Sequence, residues 1–175
     1  INSERMATRM SQPASPEIPG RTTEDPQEFI AAATASGRLI GTDGGTKTLG
    51  LALSDVTRTI ASALETIRRT KFTADAARLL ALATEHAVTG LVLGLPRNLD
   101  GTEGPRAQAT RALARNLNKL SPLPILLWDE RLTTAEAERM LIDADQSRKR
   151  RGEVIDKLAA TIILQSALDR LGRQR

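Results

Sequence analysis

Arg38-Leu39-Ile40-Gly41-Thr42-Asp43-Gly44-Gly45-Thr46-Lys47-Thr48-Leu49-Gly50-Leu51-Ala52-Leu53-Ser54 holds two apolar runs around a Gly-rich turn, and its reading decides the fold. Each run has strand length, and the glycines between them supply the backbone freedom of a tight reversal. Thr59 to Ile67 supplies a third strand after a short link, so this part of the chain reads as an antiparallel meander. Asp43 closes the first strand, where a carboxylate leaves the buried sheet for solvent.

Beyond the meander the period changes. Thr73 to His86 places Ala76, Leu79, Leu80 and Ala83 at helical spacing, with Thr73 as the expected N-cap. Gly90-Leu91-Val92-Leu93-Gly94-Leu95 is a short continuous apolar run, the pattern of a buried parallel strand. A helix from about Pro105 to Leu120, a strand over Ile125 to Trp128 and a helix capped by Thr133 or Thr134 follow. The last helix is expected over Ile155 to Leu171, after a basic loop. The order βββαβαβαα describes an α/β (α+β) domain with a mixed five-stranded sheet, antiparallel then parallel, flanked by helices. That domain is expected over 37–175. Residues 1–36 carry Pro13, Pro16, Pro19 and Pro26 among polar residues and read as a disordered extension, with one or two helical turns at Pro26–Ala33.

A chain of 175 residues, 40% hydrophobic and 26% charged, has the size and balance of one soluble domain. There are no cysteines, which excludes disulfides, thiolate zinc sites and thiol catalysis. No apolar stretch approaches transmembrane length and no signal-like core opens the chain, so a cytoplasmic protein with no membrane partner is expected. With Trp128, Phe29 and Phe72 as its aromatics, the chain lacks platforms for base stacking, and Trp128 reads as core. The net charge of +4 is concentrated in Arg148-Lys149-Arg150-Arg151, in Arg68-Arg69 with Lys71, and in Arg170, Arg173 and Arg175. The largest block precedes Asp156 by five residues, which favours phosphate contact over a merely solvated loop.

Three acids stand at element ends: Asp43, Glu130 after the last strand, and Asp156 at the start of Asp156-Lys157-Leu158-Ala159-Ala160. If they converge, they form an oxygen-ligand site for a hard divalent cation, Mg²⁺ or Mn²⁺, of the kind that assists phosphodiester cleavage. Each has a plainer use. Asp43 before Gly-Gly forms turns, Asp156 is a good N-cap, and Glu130 could pair with Arg131 or Arg139 while Asp129 serves as the ligand. Arg97 and Asn98, just after a parallel strand, stand where open α/β sheets bind ligands. Thr46 and Lys47 stand at the hairpin turn beside Asp43. His86, the lone histidine, ends a helix and reads as a helix-terminus residue rather than a catalyst.

The first strand–turn–strand resembles the ribonuclease H-like superfamily, in which an Asp on the first strand faces the site. Four stretches narrow the resemblance: Gly41-Thr42-Asp43-Gly44-Gly45-Thr46-Lys47-Thr48-Leu49-Gly50-Leu51-Ala52-Leu53-Ser54-Asp55, Gly94-Leu95-Pro96-Arg97-Asn98-Leu99-Asp100-Gly101-Thr102-Glu103-Gly104-Pro105, Asp129-Glu130-Arg131-Leu132-Thr133-Thr134-Ala135-Glu136-Ala137 and Ile155-Asp156-Lys157-Leu158-Ala159-Ala160. In this order they resemble the YqgF/RuvX family, described both as Holliday junction resolvases and as ribosomal RNA precursor nucleases. The resemblance spans about residues 38–171. Gly44 departs from it, since the family usually carries a larger apolar residue there.

The resemblance implies a metal-dependent endonuclease with Asp43, Glu130 and Asp156 as catalytic metal ligands, and it prefers Glu130 to Asp129. The implied substrate is structured nucleic acid, either the 5′ end of a ribosomal RNA precursor or a Holliday junction. Thr46, Lys47, Arg97, Asn98, Arg131, Arg148, Lys149, Arg150 and Arg151 would contact it. Residue chemistry does not select between RNA and DNA, nor between a monomer and a homodimer, although paired sites would suit a junction. Two rivals follow from the same residues. A catalytically silent nucleic-acid binder would have little use for an acidic cluster, because acids repel the phosphate backbone. The turn Asp43-Gly44-Gly45-Thr46 also resembles the phosphate turn of sugar kinases and actin-like ATPases, but those need two such domains and a longer chain.

Overall fold

Alternation along the strands divides the apolar residues between two faces, and helices cover both. The computed structural model describes residues 20–133 and 148–173, with the side chains of 148–156 outside that description. Among the described residues the order is β1 (Thr22–Thr23), α1 (Pro26–Ala32), β2 (Arg38–Gly44), β3 (Thr48–Ser54), β4 (Ala61–Arg68), α2 (Phe72–Glu85), β5 (Val88–Leu95), α3 (Pro105–Leu120), β6 (Ile125–Asp129), a 3₁₀ turn (Glu130–Leu132) and α4 (Arg148–Gly172). The sheet order is β1-β6-β5-β2-β3-β4. β2, β3 and β4 form the expected antiparallel meander, and β5 and β6 extend it in parallel with β2.

One face packs Ile40, Leu51, Leu93 and Leu127 against α2 and α3, and the other packs Leu39, Val92, Leu126 and Trp128 against α1 and α4. Pro105 fits the first position of α3, where its missing N–H costs nothing. Ala107, Thr110, Leu113, Ala114 and Leu117 then recur at helical spacing as its buried stripe.

Five expectations are corrected. The sheet has six strands rather than five, because Thr22 and Thr23 pair in parallel with Ile125 and Leu126. Residues 20–36 therefore belong to the folded body. Asp25 caps α1 by accepting from the Gln27 N–H at 2.9 Å, and Phe29 is fully buried in the face shared with α4. Residues 1–19 lie outside the described residues.

The third strand begins at Ala61, because Asp55 Oδ1 holds the Thr59 and Ile60 N–H groups in a turn at 2.7 and 3.0 Å. The hydroxyl of Thr57 and those two N–H groups lower the Asp55 pKa to about 2. Their support is therefore present above about pH 4 and fades as the pH falls toward 2.

Thr73 does not cap α2. The helix starts at Phe72, and the Thr70 N–H is held instead by Asp75 Oδ1 at 3.3 Å. Finally, the stretch expected as a basic loop before Ile155 is the first part of α4. Arg and Lys propagate a helix nearly as well as Ala, and the packed stripe from Ala160 to Leu171 supplies tertiary support. The helix expected after Thr134 falls outside the described residues.

The direction of α4 positions the site. Gln165 bonds the Ala61 N–H and the Thr59 carbonyl at the start of β4, while the Lys157 charge acts on Glu65 further along that strand. The helix thus runs antiparallel to β2 and β4, with its N-terminal half over the carboxyl ends of the strands. Contact is close there: a Cβ on Gly41 would lie 2.6 Å from Leu164 Cβ and 3.3 Å from the Ala160 carbonyl.

Candidate active site

Asp43 leaves β2 on the α4 side of the sheet, and Glu130 follows β6 one strand beyond β5. Between them lies Gly94 of β5, paired with Trp128 of β6. A Cβ at Gly94 would fall 2.7 Å from Glu130 Oε1, 2.7 Å from Ile163 Cδ1 and 3.3 Å from the Thr42 carbonyl. Any larger residue at 94 would displace Glu130, so the glycine gives the two acids a common space. The Asp43 and Glu130 carboxyls are hydrogen-bonded to each other.

Burial, the neighbouring Asp43 charge and that hydrogen bond together push the Glu130 pKa up to about 7, with Arg106 pulling the other way. Glu130 Oε1 is buried and has no hydrogen-bond partner among the described residues. A buried carboxylate oxygen without a donor, beside a second carboxyl, is costly in isolation. It fits a hard cation, which prefers oxygen ligands.

Asp129, the rival ligand, is committed elsewhere. Its oxygens accept from the Arg131 N–H at 2.9 Å and from Arg131 Nη2 at 2.7 Å, and Arg97 Nη1 lies 3.6 Å away. The hydrogen bonds and charge of Arg131 hold its pKa below the usual carboxylate range. Arg131 is thereby spent on Asp129 rather than on Glu130.

Position 156 on α4 lies one turn before Ala160 and two before Ile163, the residues that approach Gly41 and Gly94. Helix geometry therefore places residue 156 at the carboxyl edge. Its side chain, like those of Arg148, Lys149, Arg150 and Arg151, falls outside the described residues. Among the described residues no three metal-ligating side chains cluster.

The expected phosphate contacts divide. Thr46 and Lys47 are exposed at the β2–β3 turn, which is closed by the Gly45 N–H to the Thr48 carbonyl at 2.9 Å. Asn98 serves its own loop: its amide donates to Thr102 Oγ1 and its N–H to the Thr102 carbonyl, both at 2.9 Å. Arg97 is held in ion pairs with Glu24, Glu103 and Asp129.

Arg106 did not stand out in the sequence. From the first turn of α3 its Nη2 donates to the Gly44 carbonyl at 3.2 Å, and its charge reaches Glu130. Arg69 Nη1 holds the next carbonyl, Gly45, at 2.6 Å. Two guanidiniums thus gather at the turn that follows Asp43. The available signal was position: Arg106 opens the helix that follows β5, where α/β sheets bind ligands.

The fold and this edge define a ribonuclease H-like α/β protein with paired acids at the carboxyl end of its central strands. The solved structure of Thermus thermophilus RuvC with a Holliday junction substrate is similar in fold, with TM-score 0.52 and 14% identity over 78% of this chain and 96% of that one. The family described as "RuvX: Holliday junction resolvase" matches residues 37–170, and the chain belongs to that family. Relatives from Cereibacter sphaeroides and Paracoccus denitrificans are 63% and 61% identical over 87% and 85% of this chain, and over 97% and 94% of their own. Both are named "Putative pre-16S rRNA nuclease".

Proposed function

We propose that this protein is a divalent-metal-dependent endonuclease that hydrolyses phosphodiester bonds in structured nucleic acid, with Asp43, Glu130 and Asp156 as its acidic centre. The observation that carries the reading is the buried Oε1 of Glu130, without a hydrogen-bond partner among the described residues, in a carboxyl pair with Asp43. Mg²⁺ or Mn²⁺ bound there would supply Lewis acidity and an activated water. Asp43, fixed between β3 and β5 in the middle of the sheet, gives a rigid oxygen ligand. Glu130 gives a second and holds a proton near neutral pH until charge compensation arrives. Arg106, Arg69 and Lys47 bring positive charge to the same edge and favour a phosphate there. A silent binder has no use for two carboxyls in contact at this edge.

Precursor ribosomal RNA is the first substrate on this reading, because relatives above 60% identity carry that name. The family description makes the four-way DNA junction the second. We place the protein in the cytoplasm; no helix among the described residues is long and apolar enough to cross a membrane. Incubating the purified protein with a 5′-extended 16S precursor and with a four-way junction, in Mn²⁺ and in EDTA, tests the reading. Metal-dependent cleavage of the precursor is expected. Binding of both substrates without cleavage would support a silent module instead.

A further inference from the structure

Glu24 lies outside the family-matched residues 37–170, in the segment that adds β1 to the sheet edge. It reaches two arginines from different elements. One carboxylate oxygen meets Arg97 Nη2 after β5, and the other lies 3.4 Å from Arg111 Nη2 on α3. The two arginines are not equally satisfied by other groups. Arg111 has a bidentate partner in Glu103, at 2.5 and 3.0 Å. For Arg97 the remaining carboxylates among the described residues, Glu103 and Asp129, stand at 3.7 and 3.6 Å, beyond hydrogen-bond length, and its Nε is buried with no partner among those residues. Glu24 is thus the close acceptor of Arg97, and its side chain is 44% exposed. The cluster adjoins the acidic centre in sequence and space: Arg97 is three residues past Gly94, and Asp129 precedes Glu130.

An oxygen pair spanning two guanidiniums is also how a phosphodiester is held. We propose that Arg97 and Arg111 form a phosphate-binding position which Glu24 fills in the free protein, and that a backbone phosphate of the nucleic-acid substrate displaces Glu24. The inference rests on the nuclease reading for the identity of the ligand. Glu24 then acts as an intramolecular competitor that weakens binding of any polyanion too poorly placed to displace it. Arg97 contacts phosphate in the bound state although it is ion-paired in the free one.

The test measures binding of a labelled four-way junction and a labelled structured RNA across a salt series in EDTA, for wild type, Glu24→Gln and Glu24→Gln/Arg97→Gln. Glu24→Gln should bind about tenfold tighter, with a salt dependence steeper by about one ion. The added Arg97→Gln should cancel both gains. Thermal melting of the same variants separates this from a purely structural role. A lower melting temperature for Glu24→Gln with unchanged affinity and slope would make Glu24 a clamp for β1 and overturn the proposal. If wild type binds neither nucleic acid, the nuclease reading falls and the inference with it. If wild type binds and Glu24→Gln binds identically, the inference alone falls.

Discussion

Asp43→Asn should reduce cleavage by at least about a thousandfold while leaving the fold and nucleic-acid affinity close to wild type. Asn keeps the shape of the side chain at the end of β2, so the strand pairing to β3 is undisturbed. What it removes is one ligand charge and the repulsion that holds a proton on Glu130. Single-turnover cleavage in Mn²⁺ measures the first effect, and binding in EDTA measures the second. A variant cutting at the wild-type rate would remove Asp43 from the mechanism and leave it a turn residue.

Glu130→Gln should be more stable than wild type and inactive. In the metal-free protein, burial and Asp43 raise the Glu130 pKa from 4.5 to about 7. The folded state then holds a proton that the unfolded state has lost. Stability is therefore highest below about pH 4.5, falls as the pH rises through 7, and stays low above it. The charged form costs up to roughly 3 kcal/mol at pH 8. The Gln amide can donate to Asp43 at every pH and removes that cost. In EDTA at pH 8 the variant should melt higher by roughly 5 °C, with little difference at pH 4. Equal melting curves at pH 8 would show that Glu130 is solvated rather than pressed against Asp43.

The extent to which sequence specified this site depends on how local each determinant is. Asp43 is legible because the apolar run before it and the Gly-Gly after it fix a strand end within a dozen residues. The bounds of α3 were readable because Pro105, the apolar stripe and the polar Ser121 all lie within one helix length. β1 was not readable. Two residues carry no period, and their partners Ile125 and Leu126 lie about a hundred residues away. Proline-rich composition therefore outweighed the single buried anchor, Phe29.

The role of Arg97 was obscured for a similar reason. Glu103 lies in the same loop, but Glu24 and Asp129 come from distant segments that only the folded sheet edge brings beside it. Arg106 is the converse case. It is one arginine among many in the sequence, and it matters because α3 begins beside the turn after Asp43. The preference for Glu130 over Asp129 came from family resemblance. The structure is consistent with it in physical terms, since Arg131 and Arg97 neutralise Asp129 and no group among the described residues donates to Glu130 Oε1.

The central claim, that Asp43 and Glu130 form a cation site whose carboxyls hold a proton until metal binds, is tested most directly by calorimetric titration of Mn²⁺ at pH 6 and pH 8.5. Each titration is run in two buffers of different ionisation heat, on wild type and on Asp43→Asn. The account predicts weak binding by wild type, in the millimolar range without nucleic acid. It also predicts release of close to one proton per bound ion at pH 6 and almost none at pH 8.5. Absence of proton release at pH 6, or Mn²⁺ affinity in Asp43→Asn equal to wild type, would contradict it.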